Sequence, residues 1–176
     1  MMTIIQPNYV HAFPMIPGGG LFFVPIGTCI VLGAFFPRLR MALVWIGMAA
    51  GVLAIALGGN LLKGLPPPTL VQVGFFAMAI VAEIVAFRDF IPRLRTLGDR
   101  GVLAGTLGIV GAHFLIMIPT FGVPIFVLAV LCLANASVAY KASMYSVSSA
   151  WLVDGVFKMA VGSVMVMASP VLAAMH

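Results

Sequence analysis

The residues of this sequence that could do chemistry are polar side chains within long apolar runs. The group that we call the polar layer consists of Glu83, Asn135, Asp154 and Lys158. Each lies about four to eight residues from a basic or serine-rich connector, or about 6–12 Å along a helix at 1.5 Å per residue. Ionisable groups at such a depth in a membrane usually face the interior of a helix bundle and mark a proton or solute path. The spacing predicts one shared layer near one membrane surface.

Within this layer, Asp154 and Lys158 are four residues apart, so they lie on one helix face and can form an ion pair. Two carboxylates against one lysine leave Glu83 without a local partner, and a buried carboxyl in that position is protonated or holds a cation. We expect Glu83 to face the bundle interior near Asn135 or Lys158. The alternative is that Glu83 reaches the headgroups beside Arg88 and that the layer only holds helices together.

A second set of polar residues lies toward the opposite ends of the apolar runs: Asn60, Gln72 and His113. Because His113 is the only histidine within such a run, a haem with two histidine ligands is not expected. Both cysteines, Cys29 and Cys132, also lie within apolar runs, which argues against a disulfide framework or a metal knuckle. We expect no catalytic residue, no cofactor and no metal site, and an intramembrane enzyme stays the less favoured alternative.

The composition defines the class of protein that must position these residues. Of 176 residues, 63% are hydrophobic and 7% are charged, and the mean hydropathy is +1.22. These values are typical of an all-α, polytopic integral membrane protein with the lipid bilayer as its partner. The net charge of +5 resides mainly in connectors, where lipid headgroups explain it, so we expect no nucleic-acid binding. The sequence leaves open whether the chain forms a homo-oligomer or joins a larger membrane complex.

The length accommodates six spans of about 20 residues each. We predict an interfacial N-terminal arm, residues 1–19, because prolines and glycines interrupt it, and a single six-helix transmembrane domain, residues 20–175. The predicted spans are 20–36, 41–62, 69–87, 101–118, 123–140 and 150–169. They are expected to form a bundle of three consecutive helical hairpins.

An internal repeat supports the hairpins. The motif Phe-Phe-Pro-Arg-Leu-Arg at 35–40 returns as Phe-Ile-Pro-Arg-Leu-Arg at 90–95. Each copy is expected to form a short turn that begins at its proline, which cannot continue the preceding helix. Glycines four residues apart follow each copy, at 47 and 51 and at 101 and 105, and such spacing lets helices approach closely. The third hairpin is a weaker copy, and a chance coincidence in a glycine-rich sequence is the alternative.

The basic residues predict the orientation. The connectors between spans one and two, three and four, and five and six hold these basic residues: Arg38, Arg40, Arg88, Arg93, Arg95, Arg100 and Lys141. The opposite side holds only Lys63. By the positive-inside rule the three connectors face the cytoplasm, which puts both termini outside the cytoplasm in a multi-pass protein of the cell (inner) membrane.

Together these observations favour one function over another. We expect proton- or small-solute-linked transport or sensing through the polar layer near the cytoplasmic side. The alternative is a structural, assembly or stress-protective membrane protein without transport or catalytic activity, in which the same polar residues serve as contacts between helices.

Overall fold

The computed structural model describes residues 7–142 and 144–173, and over these ranges its regular structure is entirely helical. The helices are α1 (Pro7–Ala12), α2 (Ile16–Phe35), α3 (Arg40–Leu57), α4 (Leu70–Leu94), α5 (Gly98–Ile116), α6 (Ile118–Phe121), α7 (Val123–Lys141), α8 (Val147–Met167) and α9 (Pro170–Ala173). Short 3-10 turns occupy Pro37–Leu39, Gly58–Leu62 and Arg95–Leu97.

Five helical stretches of the described chain are long and apolar enough to cross a membrane: Ile16–Phe35, Pro37–Leu62, Leu70–Ile116, Val123–Lys141 and Val147–Met167. The described chain is therefore all-helical with several candidate membrane spans, as the predicted class of multi-pass membrane protein requires. The longest stretch contains both α4 and α5. These two helices lie side by side, because Leu94 of α4 packs on Gly105 of α5, and the chain reverses its direction at 95–98. Gly98 adopts φ 73° in this turn, a conformation that other residues rarely adopt.

The most extensive helix contact joins α2 and α8, which run antiparallel. A Cβ atom at Gly27 would lie 2.8 Å from the carbonyl oxygen of Gly155, and one at Gly20 would lie 2.5 Å from that of Gly162. On each helix the two glycines are seven residues apart and share one face. The absence of side chains therefore lets the two backbones touch, as small residues do in membrane bundles.

The other helices surround this central pair. Gly47 and Gly51 of α3 pack on α2, against Cys29 and Phe22, as their spacing predicted. On the other side α7 contacts α8 and α5, and α4 packs on α5. The outer faces of α3 and α4 expose large apolar side chains, such as Trp45 and Val81, which suits contact with lipid.

The three basic connectors meet at one end of the molecule. Arg40 donates from Nη2 to Ser148 Oγ at 2.7 Å, and Arg100 donates from Nη1 to the carbonyl oxygen of Ala142 at 3.0 Å. Arg40 thus binds the first turn of α8, and Arg100 binds the connector that precedes α8. Polar contacts also join elements at the opposite end, where Thr120 Oγ1 donates to the carbonyl oxygen of Gln72 at 2.9 Å.

The two copies of the repeated motif differ in structure, contrary to the expectation from sequence. Pro37 begins a 3-10 turn, and Phe36 before it is extended, with φ −118° and ψ 74°. Pro92 instead lies inside α4, which continues to Leu94, seven residues beyond the predicted end of that span. The physical reason is Gly98, whose positive φ supplies the reversal downstream of the second copy.

The structure of the N-terminal segment also differs from the interfacial arm predicted for residues 1–19. Residues 1–6 lie outside the described residues, residues 7–12 form α1, and α2 begins at Ile16 rather than at residue 20. Val10 and Ile16 are buried in the apolar core, and Tyr9 Oη accepts a hydrogen bond from the Val123 amide at 2.5 Å. The glycine run at 18–20 lies within α2, and Gly20 makes the close contact with α8.

Candidate functional site

Asp154 and Lys158 form a buried ion pair on α8. The Lys158 Nζ and Asp154 Oδ1 atoms are 2.5 Å apart, and each residue is only 4% exposed. Cys132 of α7 lies 3.4 Å from the same carboxylate oxygen, and the Phe114 ring of α5 lies 5.8 Å from Nζ. The spacing of four residues explains the pairing, and the neighbouring helices exclude solvent. The two charges therefore neutralise each other in a closed site.

Asn135 makes separate contacts. Its Nδ2 donates to the carbonyl oxygen of Ala150 at 2.9 Å, and Tyr145 Oη donates to its Oδ1 at 2.7 Å. Burial, with a further contribution from the negative charge of Asp154, raises the pKa of the Tyr145 phenol. The phenol therefore remains a hydrogen-bond donor at neutral pH. Asn135 thus fastens the last connector to the start of α8.

Glu83 lies opposite His113, a residue that the sequence assigned to a different depth. Its Oε2 is 3.6 Å from His113 Nδ1, which is longer than an N–H···O hydrogen bond of about 2.7–3.2 Å. The His113 side chain is 9% exposed and that of Glu83 is 25% exposed. Neither ring nitrogen of His113 makes a hydrogen bond of acceptable geometry with the described residues. The two side chains form a loose acid–base pair.

The helix bounds explain why the sequence separated these residues. The predicted span ended at residue 87, which put Glu83 near a membrane surface. Because α4 continues to Leu94, Glu83 lies eleven residues before the helix end, or about 16 Å along the axis. In the register set by the packing of Leu94 on Gly105, His113 of the antiparallel α5 lies opposite Glu83.

The pair lies in a cleft of about 380 Å³ between α4 and α5. Apart from Glu83 and His113, the residues that line the cleft are Ala82, Ala86, Phe90, Leu94, Gly105, Gly108, Ile109, Ala112 and Ile116. The cleft closes at Gly105, which packs on Leu94, and is open at Gly108, where an added Cβ would meet no atom within 4 Å. It is thus an apolar cleft with one acid–base pair in its wall.

The remaining sequence-predicted positions lie elsewhere. Gln72 caps α4 with Thr69 and donates from Nε2 to the carbonyl oxygen of Ala12 at 2.8 Å, while Asn60 is exposed in a 3-10 turn. Arg88 pairs with Asp89 at 2.7 Å. The other basic residues without a described role in packing are exposed on the connectors or at the end of α4: Arg38, Arg93 and Arg95.

The predicted layer thus divides into three groups by direct contact: the pair on α8, the Asn135 contacts and the Glu83–His113 pair. Lys158 is near enough to Glu83 to act on it electrostatically, without a direct contact. Sequence reasoning missed His113 as the neighbour of Glu83 and Cys132 as the neighbour of Asp154. The Cys132–Asp154 contact had a signal in the sequence, since Cys132 and Asn135 are three residues apart and share a face of α7 toward α8. The Glu83–His113 contact had no such signal, because α4 and α5 contribute one residue each.

The arrangement of possible metal ligands and the comparisons with known proteins both bear on the chemistry of the site. Within residues 7–142 and 144–173, no three histidine, cysteine or acidic side chains come together in a way that could hold a metal ion. No protein-family model, no curated protein and no solved structure matches this chain. The geometry of the cleft is therefore the basis for the functional argument.

Proposed function

We propose that this chain is a six-span membrane protein that moves or senses a proton, or a small solute coupled to a proton, at Glu83 and His113. The observation that carries the proposal is the 3.6 Å separation of Glu83 Oε2 and His113 Nδ1 in the wall of an apolar cleft. One proton can reside on either group, giving a neutral acid beside a neutral imidazole or a carboxylate beside an imidazolium. Such intramembrane acid–base pairs are typical of proton relays.

The other members of the predicted layer are less suited to this role. The Asp154–Lys158 pair is closer, at 2.5 Å, and is 4% exposed, so that moving a proton or a solute through it would break a buried ion pair. We therefore assign it, together with the Asn135 contacts, to positioning the helices around the cleft.

The same proposal includes the topology. The contacts of Arg40 with the first turn of α8 and of Arg100 with the connector before α8 support three connectors on one side, and the reversal at Gly98 supports two crossings within Leu70–Ile116. Six crossings in three hairpins follow. By the positive-inside rule the connectors face the cytoplasm and both termini lie outside it, in the cell (inner) membrane.

A structural, assembly or stress-protective role is the second candidate. The observation in its favour is the backbone-to-backbone packing of α2 on α8 next to a closed ion pair, which suits a rigid membrane element. Under this alternative Glu83 serves only as a contact of α4 with α5, and its replacement changes stability without changing any proton-linked activity.

Proton movement in vesicles tests the proposal. Purified protein is reconstituted with a pH-sensitive dye inside the vesicles, and a potassium diffusion potential drives protons inward. We expect wild type to acidify the lumen faster than empty vesicles and Glu83→Gln, which cannot accept the proton, to fall to the empty-vesicle rate. The matched control is Asp89→Asn, the same chemical change on the exposed surface of α4, which keeps the wild-type rate.

Sensing has a separate readout, the pH dependence of Tm for wild type and for Glu83→Gln between pH 5 and 8. A difference in this dependence between the two proteins supports a sensor. Wild-type flux equal to that of empty vesicles, together with identical pH dependence of Tm, would rule out both forms of the proposal and favour the structural candidate.

A further inference from the structure

We propose that the cleft between α4 and α5 binds a small lipophilic ammonium ion, with the charged group at Glu83 and the apolar part between the two helices. This inference rests on the proposed function and names the class of solute for the same site.

The first argument is charge. Glu83 has no fixed cation in hydrogen-bond contact among the described residues, and the group that faces it from α5 is His113 at 3.6 Å. Lys158 of α8 acts on Glu83 electrostatically but is bound to Asp154 at 2.5 Å. On α4 itself, Arg88 is exposed and engaged with its neighbour Asp89. A ligand cation would supply the missing charge for the carboxylate.

The second argument is the unused imidazole. His113 is nine-tenths buried in its side chain and borders the cleft, and its ring nitrogens make no hydrogen bond of acceptable geometry with the described residues, although the backbone of Val110 interacts with the ring. A buried polar group without a well-formed hydrogen bond is uncommon, and a ligand in the cleft would complete it. An ammonium at Glu83 lets His113 remain neutral beside it.

The third argument is shape and polarity. A volume of about 380 Å³ lies within the range of small-molecule sites, about 300–1,000 Å³. Small residues, including Ala86 and Gly108, create the width of the cleft, and Phe90 and Ile109 provide apolar contact surface. Such walls favour a ligand with a hydrocarbon or aromatic body over a hydrophilic one.

The fourth argument is access. Phe90 and Ala112 line the cleft and are both exposed on the outer surface of the described chain. In a bilayer this surface meets lipid, so a molecule dissolved in the membrane can reach Glu83 from the side. A lipophilic ammonium partitions into that region, whereas a strongly hydrated cation does not.

Binding and proton release are then linked. When the Glu83–His113 pair holds a proton, binding of the cation releases that proton to solvent and leaves a carboxylate beside the ammonium. The bond to the proton is the one covalent bond that breaks. Protons and the ammonium therefore compete for one site, and the affinity decreases as the pH falls.

Binding is measured by equilibrium dialysis of benzyltrimethylammonium against protein in lipid nanodiscs, with empty nanodiscs subtracted. We expect saturable binding of about one ion per chain that weakens as the pH falls. Glu83→Gln should weaken it at least tenfold, whereas Asp89→Asn should leave it unchanged. Neopentylbenzene, the uncharged isostere, should not displace the ion.

A second variant tests the location without touching the charge. Gly108→Leu fills the open part of the cleft and should weaken binding at least tenfold, while Gly74→Leu, at a position of α4 where an added Cβ also meets nothing, should not. If Gly108→Leu fails to fold, Gly108→Ala, which narrows the cleft less, should weaken binding by a smaller factor.

The vesicle assay without ammonium separates the two proposals. Glu83-dependent proton flux without saturable benzyltrimethylammonium binding overturns the solute class and leaves the proposed function standing. Binding that is insensitive to both Glu83→Gln and Gly108→Leu also overturns it. Absence of flux, of pH sensing and of binding would overturn both.

Discussion

At the scale of single residues, the three acid–base pairs found among the described residues of α4, α5 and α8 differ in how closely the partners approach and how deeply they are buried. The Asp154–Lys158 pair is short and buried, and Arg88 and Asp89 form an exposed pair on the surface. Among these described pairs, Glu83 is the acid that combines partial burial with a distant partner. A group whose protonation is poorly determined by its surroundings is the one that can change state during function.

The buried pair leads to a stability prediction. Lys158→Met or Asp154→Leu alone leaves a charge in a closed site, which we expect to cost about 3–5 kcal/mol, whereas the double variant restores neutrality and should be far less destabilising than the sum of the two. The Tm of the purified proteins in detergent measures this difference. Asp89→Asn serves as the exposed control and should leave Tm unchanged. Additive losses in the double variant would contradict the coupling.

At the scale of helices, glycine position decides which elements touch. Gly20 and Gly27 of α2 meet Gly162 and Gly155 of α8, so the first and last long helices form the centre of the described bundle. Hairpin neighbours also touch, but the central contact joins elements far apart in sequence. It holds α8, and with it the ion pair, in place beside α7 and α5.

This packing predicts opposite outcomes for the same substitution at two glycines. Gly155→Ala puts a Cβ 2.7 Å from the carbonyl oxygen of Gly27, and we expect such overpacking to cost about 1–3 kcal/mol. Gly74→Ala in α4 meets nothing within 4 Å and should be neutral or stabilising by up to about 1 kcal/mol, since alanine favours helix. Both are measured by Tm in detergent. A lower Tm for Gly74→Ala than for Gly155→Ala would contradict the contact between α2 and α8.

At the scale of the whole molecule, charge and packing point to the same two-ended arrangement. The count of charges groups the basic connectors on one side, and in the structure Arg40 reaches the first turn of α8 and Arg100 reaches the connector before α8. The contacts among Ala12, Gln72 and Thr120 lie at the opposite end. These contacts support the proposed even number of crossings.

The topology is tested with reporter fusions. A reporter fused after Ser148 should report the cytoplasm, and one fused after His176 should report the exterior, because the connectors carry seven basic residues against Lys63 on the other side. A fusion after Lys63 is the matched control and should behave like the C-terminal one. A cytoplasmic C-terminus would contradict both the orientation and the six crossings.

The sequence by itself determined the properties that depend on composition or on neighbours along one helix. Composition and hydropathy predicted the membrane class, and the five apolar helical stretches agree with it, since lipid cannot satisfy free backbone groups outside a helix. The contact between Asp154 and Lys158 followed from their spacing of four residues, which fixes two side chains on one face before any packing occurs.

The tertiary structure alone decided the properties that depend on which helices are adjacent and where the chain turns. Two similar motifs turn at different residues because only the second is followed by a glycine, Gly98, that adopts a positive φ. That turn lies beyond the longer α4, and the antiparallel packing of α5 sets Glu83 opposite His113. No local pattern encodes this pairing, because each helix contributes one residue and only the register of antiparallel packing brings the two together.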